Sequence, residues 1–145
     1  MKIKDLMTTE LATLSPECTV LDASKLMQTH NIGTIPICED GDKLKGIVTD
    51  RDIVVRNIAN DGEPSTTKLK DLMTYELVTT SPTMSAKSAA RLMAENKIRR
   101  LPVVDGERLV GMVSIGDIAT HEKLSDEAGS ALEEISEPSK PFNMS

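Results

Sequence analysis

Apolar positions along the chain fall in short runs whose spacing changes in a fixed order, and that order occurs twice. Over residues 17–30, Val20, Ala23, Leu26 and Met27 stand at i, i+3, i+6 and i+7, the spacing of one buried helix face, with Ser15-Pro16 opening the first turn. Two β-rich runs follow on either side of a Gly/Asp turn, Ile35-Pro36-Ile37-Cys38 and Leu44-Lys45-Gly46-Ile47-Val48, and predict a pair of strands. Over 50–60, Ile53, Val54 and Ile58 predict a second helix. With a leading strand, each half reads β-α-β-β-α.

The second half repeats the first almost element for element. Ile3-Lys4-Asp5-Leu6-Met7-Thr8 returns as Leu69-Lys70-Asp71-Leu72-Met73-Thr74, Leu14-Ser15-Pro16 as Thr80-Ser81-Pro82, Leu26-Met27 as Leu92-Met93, and Ile35-Pro36-Ile37 as Leu101-Pro102-Val103. The offset shortens by one residue from Gly46 and Gly111 onward, where Asp40-Gly41-Asp42 faces the shorter Asp105-Gly106-Glu107. A deletion confined to a turn between two strands is what a hairpin tolerates. The organisation predicted is a first repeat at 1–60, a polar linker at 61–68, a second repeat at 69–122 and an acidic tail at 123–145. A unit of about 60 residues buries only a modest core, so the two repeats are expected to pack sheet to sheet as one pseudo-twofold α+β module.

In the tail, Ser125 with Asp126 and Glu127 has the composition of a helix start, and Ala128, Ala131, Leu132 and Ile135 share one face. A short amphipathic helix is expected, packed on its own module or on a second subunit. From Glu137 on, the composition reads as disordered.

Composition narrows the function. With one Tyr, one Phe and no Trp, the chain has no aromatic platform for stacking bases. The net charge of −6 sits mostly in the tail: residues 1–120 hold 15 basic and 17 acidic side chains, 121–145 hold 2 and 6. Without a clustered basic surface, nucleic acid is not an expected partner. Cys18 and Cys38 are isolated thiols without metal-ligand spacing, and no apolar run approaches a membrane span, so a cytoplasmic protein bound to no membrane is expected.

Candidate chemistry lies where the second strand of each repeat runs into its helix. There Gly46-Ile47-Val48-Thr49-Asp50-Arg51-Asp52 and Gly111-Met112-Val113-Ser114-Ile115-Gly116-Asp117 share a Gly, a hydroxyl and a carboxylate at fixed spacing. Gly46 and Gly111 would let a ligand approach the strand backbone. Thr49 and Ser114 would offer a hydroxyl beside free helical N–H groups, and Asp52 and Asp117 could accept two hydrogen bonds from a ribose diol. The same spacing also fits a helix-capping box and nothing more, and duplication does not separate the two readings. Cations for a phosphate differ between the halves: Lys97-Ile98-Arg99-Arg100 precedes Leu101-Pro102, where the first repeat has Asn31-Ile32-Gly33-Thr34. Arg51 and Arg56 are weaker candidates. The two sites are therefore expected to be chemically unequal. His30 and His121 are solitary, and no nucleophile–base or paired-carboxylate arrangement recurs, so no catalysis is expected.

The tandem Asp-Leu-Met-Thr, Ser-Pro, Leu-Met, Ile/Leu-Pro and Gly-x-Val-Thr/Ser-x-x-Asp-Ile pattern over residues 1–120 resembles a pair of CBS (cystathionine-β-synthase) domains, a Bateman module, and the whole chain resembles the small stand-alone bacterial CBS-pair proteins. The resemblance implies a regulatory module that binds an adenosine-containing ligand (AMP, ADP, ATP or S-adenosylmethionine) between the two sheets, with no required cofactor. It implies a homodimer and an unidentified protein effector. It assigns Asp52 and Asp117 to the ribose, Thr49 and Ser114 to ribose or phosphate, and Gly46, Gly111, Arg99, Arg100, Leu101 and Pro102 to the same sites. The alternative is a structural dimerisation or protein-interaction module with no ligand, in which the Thr/Asp pairs are only caps.

Overall fold

A computed structural model describes residues 1–121 and 125–136, with side chains from 128 onward in the last helix. Helix α1 is Val20–His30, and it begins three residues later than Ser15-Pro16 suggests. Thr19 caps it: Thr19 Oγ1 accepts from the Asp22 N–H at 3.1 Å and Asp22 Oδ2 accepts from the Thr19 N–H at 2.9 Å. Ser15-Pro16 instead forms a turn, closed by the Cys18 N–H donating to Ser15 O at 3.1 Å. The equivalent helix α3, Ala86–Asn96, starts at Ser85, whose hydroxyl accepts from the Ser88 N–H. Both helices end on a left-handed residue, Asn31 (φ 53°) and Lys97 (φ 53°).

Strands β1 (Thr34–Glu39) and β2 (Lys43–Thr49) pair antiparallel, from Thr34 opposite Thr49 to Glu39 opposite Lys43, with a register break after Ile37. Strands β3 (Arg100–Asp105) and β4 (Arg108–Ser114) repeat them. The connecting loops are 40–42 and 106–107, so the one-residue deletion lies in the hairpin turn as expected. The predicted leading strand shrinks to single bridges, Leu14 beside Ile37 and Thr80 beside Val103, both parallel. The second helix, α2 (Asp50–Asp52), widens into a π turn over Ile53–Asn57 and ends as a 3-10 turn at Ile58–Asn60, whereas its counterpart α4 is Ile115–Ala119. Asn57 is buried in this run, against Gly62, whose N–H donates to Asn57 O at 2.8 Å. The polar linker is thus tied down: Pro64 O and Thr67 O also accept from the Leu21 and Val20 N–H groups, each at 2.9 Å.

Two compact units result, and neither is one contiguous repeat. The first comprises Glu10–Leu77 with Asp105–Leu109; the second comprises Met1–Thr9, Val78–Val104 and the chain from Val110 on. In the first unit Leu69 N–H donates to Cys18 O at 2.8 Å and Lys70 N–H to Pro16 O at 3.0 Å. In the second, Ile3 N–H donates to Met84 O and Lys4 N–H to Pro82 O, both at 2.9 Å. The Asp-Leu-Met-Thr head of each repeat therefore packs with the body of the other. Also inside the first unit, Arg108 at the start of β4 pairs with Lys43.

The first unit's core is Val20, Ala23, Met27, Ile35, Ile37, Val48, Ile53, Leu69, Leu72 and Met73. The second uses Ile3, Ala86, Ala89, Ala90, Met93, Leu101, Val103, Val113 and Ile118. Helix α5, Ser125–Ser136, packs on α3 and α4 of its own unit through buried Ala128 and Ala131. Leu132, expected on the same face, is exposed, and the expected Ser125 cap and the sequence beyond 136 lie outside the described side chains. Among the described residues no helix is long and apolar enough to cross a membrane.

Candidate ligand-binding site

In the first unit β2 carries Gly46 and ends at Thr49, the N-cap of α2. Thr49 Oγ1 accepts from the Asp52 N–H at 3.1 Å, and Thr49 N–H donates to Asp52 Oδ2 at 2.9 Å. Asp52 Oδ1 lies 3.7 Å from Arg56 Nε, and Arg56 Nη1 donates to Leu72 O at 3.0 Å. Arg56 is therefore a clip onto the 69–77 segment, and Asp52 is left with a side chain 15% exposed. Arg51 is exposed, and its side chain has no partner among the described residues.

The second unit builds the same turn. Ser114 Oγ accepts from the Asp117 N–H at 3.1 Å, and Ser114 N–H donates to Asp117 Oδ2 at 2.7 Å. Asp117 is half-buried, and its Oδ1 accepts no hydrogen bond among the described residues. The capping geometry left open by the sequence is thus present in both repeats. One carboxylate oxygen of each aspartate is committed to it; of the other two, Asp52 Oδ1 lies by Arg56 and Asp117 Oδ1 accepts no hydrogen bond among the described residues.

The two glycines have a different reason from the one expected. A Cβ on Gly46 would lie 2.8 Å from both Met73 Sδ and Thr74 O, and one on Gly111 would lie 2.7 Å from Met7 Sδ and 3.0 Å from Thr8 O. What approaches the strand backbone is the chain's own Met-Thr segment, paired as Thr74 with Ile47 and Thr8 with Met112. Met7, Thr8, Met73 and Thr74 are thus neighbours of the site that the sequence reading missed, although their repetition in Asp-Leu-Met-Thr was the signal.

Arg99 and Arg100 are both exposed, and neither guanidinium has a partner among the described residues. Arg99 O accepts from the Ile115 N–H at 2.8 Å, which ties this segment to the Ser114 turn. Leu101 and Pro102 are buried; Leu101 belongs to the second unit's core, and Pro102 O accepts from the Thr80 N–H at 3.0 Å. His30 is exposed at the end of α1. Cys18 and Cys38 are free thiols, and burial, then Asp42, pushes the Cys38 thiol above its ordinary value. Among the described residues no group of three or more His, Cys, Asp or Glu could hold a metal.

Comparison with known proteins gives a consistent answer. The profile of the CBS domain matches residues 3–57 and again 69–123. The chain is 48% identical over 134 residues to the CBS domain-containing protein YhcV of Bacillus subtilis, covering 92% of this chain and 94% of that one. A crystal structure of Hypoxic Response Protein I with two coordinated zinc ions is similar with a TM-score of 0.76 and 34% identity, over 83% of this chain and 98% of that one. The CBS domain pair of protein MJ0100, solved in complex with 5′-methylthioadenosine and S-adenosyl-L-methionine, is similar with a TM-score of 0.73 and 28% identity, over 83% and 94% of the two chains.

Proposed function

Since the chain belongs to the CBS domain family as a tandem pair, we propose that it is a regulatory module that senses an adenosyl ligand at its strand-to-helix turns and has no chemistry of its own. One observation carries this reading: a CBS pair of the same fold was solved with two adenosyl compounds bound. The geometry supports it in each unit separately. Asp52 and Asp117 each keep one carboxylate oxygen outside the capping box, beside Arg56 for Asp52 and without a partner among the described residues for Asp117, so an acceptor is available to a ribose diol without dismantling the turn. Arg99 and Arg100 are unpaired among the described residues, and because neighbouring residues of an extended segment point to opposite sides, one of them supplies the cation for a phosphate beside Ser114. AMP, ADP, ATP and S-adenosylmethionine all fit this description. Signalling follows if the ligand binds one conformation of the chain better than another, because a ligand of equal affinity for both shifts nothing.

A second reading is favoured by different residues. The capping boxes are complete within the chain, and α2 with its continuation exposes Val54, Val55 and Ile58 by 57%, 47% and 53%. On this reading the module is a dimerisation or protein-interaction unit, with that apolar face against a second copy. A homodimer is compatible with both readings, and the free thiols fit the cytoplasm.

Thermal unfolding against AMP, ADP, ATP, S-adenosylmethionine and GMP separates the two. A ligand at about 100 times its Kd stabilises by about 2.7 kcal/mol, a rise of several degrees for a domain of this size. An adenosyl-specific rise that Asp52→Asn or Asp117→Asn removes supports the sensor. No rise with any of the five leaves the interaction module.

A further inference from the structure

Gly33 and Arg99 occupy the same place in the two units. The carbonyl of each accepts the first helical N–H of its turn, from Asp50 at 2.9 Å and from Ile115 at 2.8 Å. The charged residues around that place differ. In the second unit Arg99 and Arg100 stand at the entry to β3 and the Ser114 turn continues with uncharged Ile115 and Gly116; in the first, Gly33 and Thr34 stand at those places and the Thr49 turn continues with Asp50 and Arg51.

The two choices are sterically coupled. A Cβ on Gly33 would lie 2.9 Å from Asp50 Oδ2 and 3.2 Å from its Cγ. The carboxylate thus fills the space from which an arginine stem would rise. It is held there by the Arg51 N–H, which donates to Asp50 Oδ1 at 2.8 Å, yet Asp50 as a residue is exposed. Backbone conformation does not ask for glycine here, since the positive-φ glycines are Gly41 and Gly106. What Gly33 permits is the carboxylate.

We infer that Asp50 is a specificity-determining residue: it makes the first unit's turn disfavour a phosphate relative to an adenosyl compound that is uncharged or cationic at its 5′ end. The second unit's turn, with Arg99 and Arg100, takes the phosphorylated ligand. This rests on the adenosyl reading of both turns given above. A phosphate entering beside Thr49 meets a fixed carboxylate, whereas a thioether is indifferent to it and a sulfonium is attracted. The chain would then hold two adenosyl compounds of different charge and report on their ratio.

Equilibrium dialysis of the full chain against AMP and against 5′-methylthioadenosine tests this. Wild type should take up one AMP with high affinity and a second only weakly, but two equivalents of 5′-methylthioadenosine. Asp50→Asn keeps the shape and removes the charge. It should tighten the weak AMP step by about threefold to fivefold, the size of an exposed charge–charge interaction, and leave 5′-methylthioadenosine unchanged. Salt near 1 M should bring wild type toward the variant. Two equal AMP sites in wild type, or AMP binding indifferent to Asp50→Asn, would overturn the role given to Asp50 while leaving the adenosyl reading intact. No uptake of either compound would overturn both.

Discussion

Gly46 and Gly111 show how a single residue can be right for a reason other than the one its spacing suggests. Each sits where a methyl group would press on a methionine sulfur and a backbone carbonyl, and the carbonyl cannot swing away as a side-chain tip can. Gly46→Ala and Gly111→Ala are therefore each expected to cost about 1–3 kcal/mol of stability by overpacking, measured by urea unfolding without ligand. A neutral result for either would mean that the Met-Thr segment is not fixed there. Lys97 makes the opposite case. It holds a left-handed φ of 53° at the end of α3, a conformation that costs an ordinary side chain about 1 kcal/mol. Lys97→Gly should raise stability by up to about 1 kcal/mol in the same assay, and a loss would show that the lysine side chain contributes more than its strain. Neither effect was legible from the sequence. Glycine in a strand announces a close approach but not what approaches, and a lysine has no composition signal for positive φ.

At the scale of elements, periodicity located the helices and strands well because each buries one face, and the repeat checked every assignment twice. What periodicity could not locate was the start of α1. Thr19 and Asp22 satisfy each other's backbone N–H groups, and that pairing outweighs the preference of Pro16 for a first helical turn. The exchange of heads was also invisible in one dimension, because each Asp-Leu-Met-Thr is adjacent in sequence to the body it leaves. Charges show how the 68–70 segment is held. Lys68 and Lys70 both pair with Glu17, at 2.6 and 3.0 Å. The hydrogen bond from Lys68, then that from Lys70, holds the Glu17 carboxyl below its ordinary range, and Glu17 in turn raises Lys70.

The sign of the resulting pH dependence follows from those directions. A lowered carboxylate contributes stability that is present above its ordinary value of 4.5 and is lost as pH falls through the folded value. A raised lysine contributes stability that is present below 10.5 and is lost as pH rises through the folded value. Glu17→Gln should accordingly lower the unfolding midpoint between those limits and have little effect in acid, and all three groups are exposed, so the difference should shrink in high salt. In the second unit Lys2 and Lys4 stand at the equivalent positions, and the place of Glu17 is taken by Thr83. Thr83→Glu should build the missing pair and add no more than about 0.5 kcal/mol at low salt, vanishing near 1 M. A gain that persists in high salt would point to packing rather than charge.

For the whole molecule, the tandem CBS architecture follows from a repeat that the sequence displays openly, and the family match covers both copies. The candidate site was legible only in part. Thr49 and Asp52, and Ser114 and Asp117, do come together at the two turns, and Arg99 is tied to the second of them through its carbonyl, while Leu101 is buried in the core and Pro102 is buried beside it on β3. Spacing could not separate cap from ligand site because the caps are complete in the chain alone. The most direct measurement is therefore isothermal titration of AMP into wild type and Asp117→Asn. Asparagine can still accept from the Ser114 N–H but carries no charge. Saturable binding in wild type that weakens by at least about tenfold in the variant, with unfolding nearly unchanged, is the expected result, since hydrogen bonds to a charged group contribute about 1.5–3 kcal/mol. Equal affinity in both proteins, or no binding up to millimolar AMP, would contradict the account and leave the turns as caps.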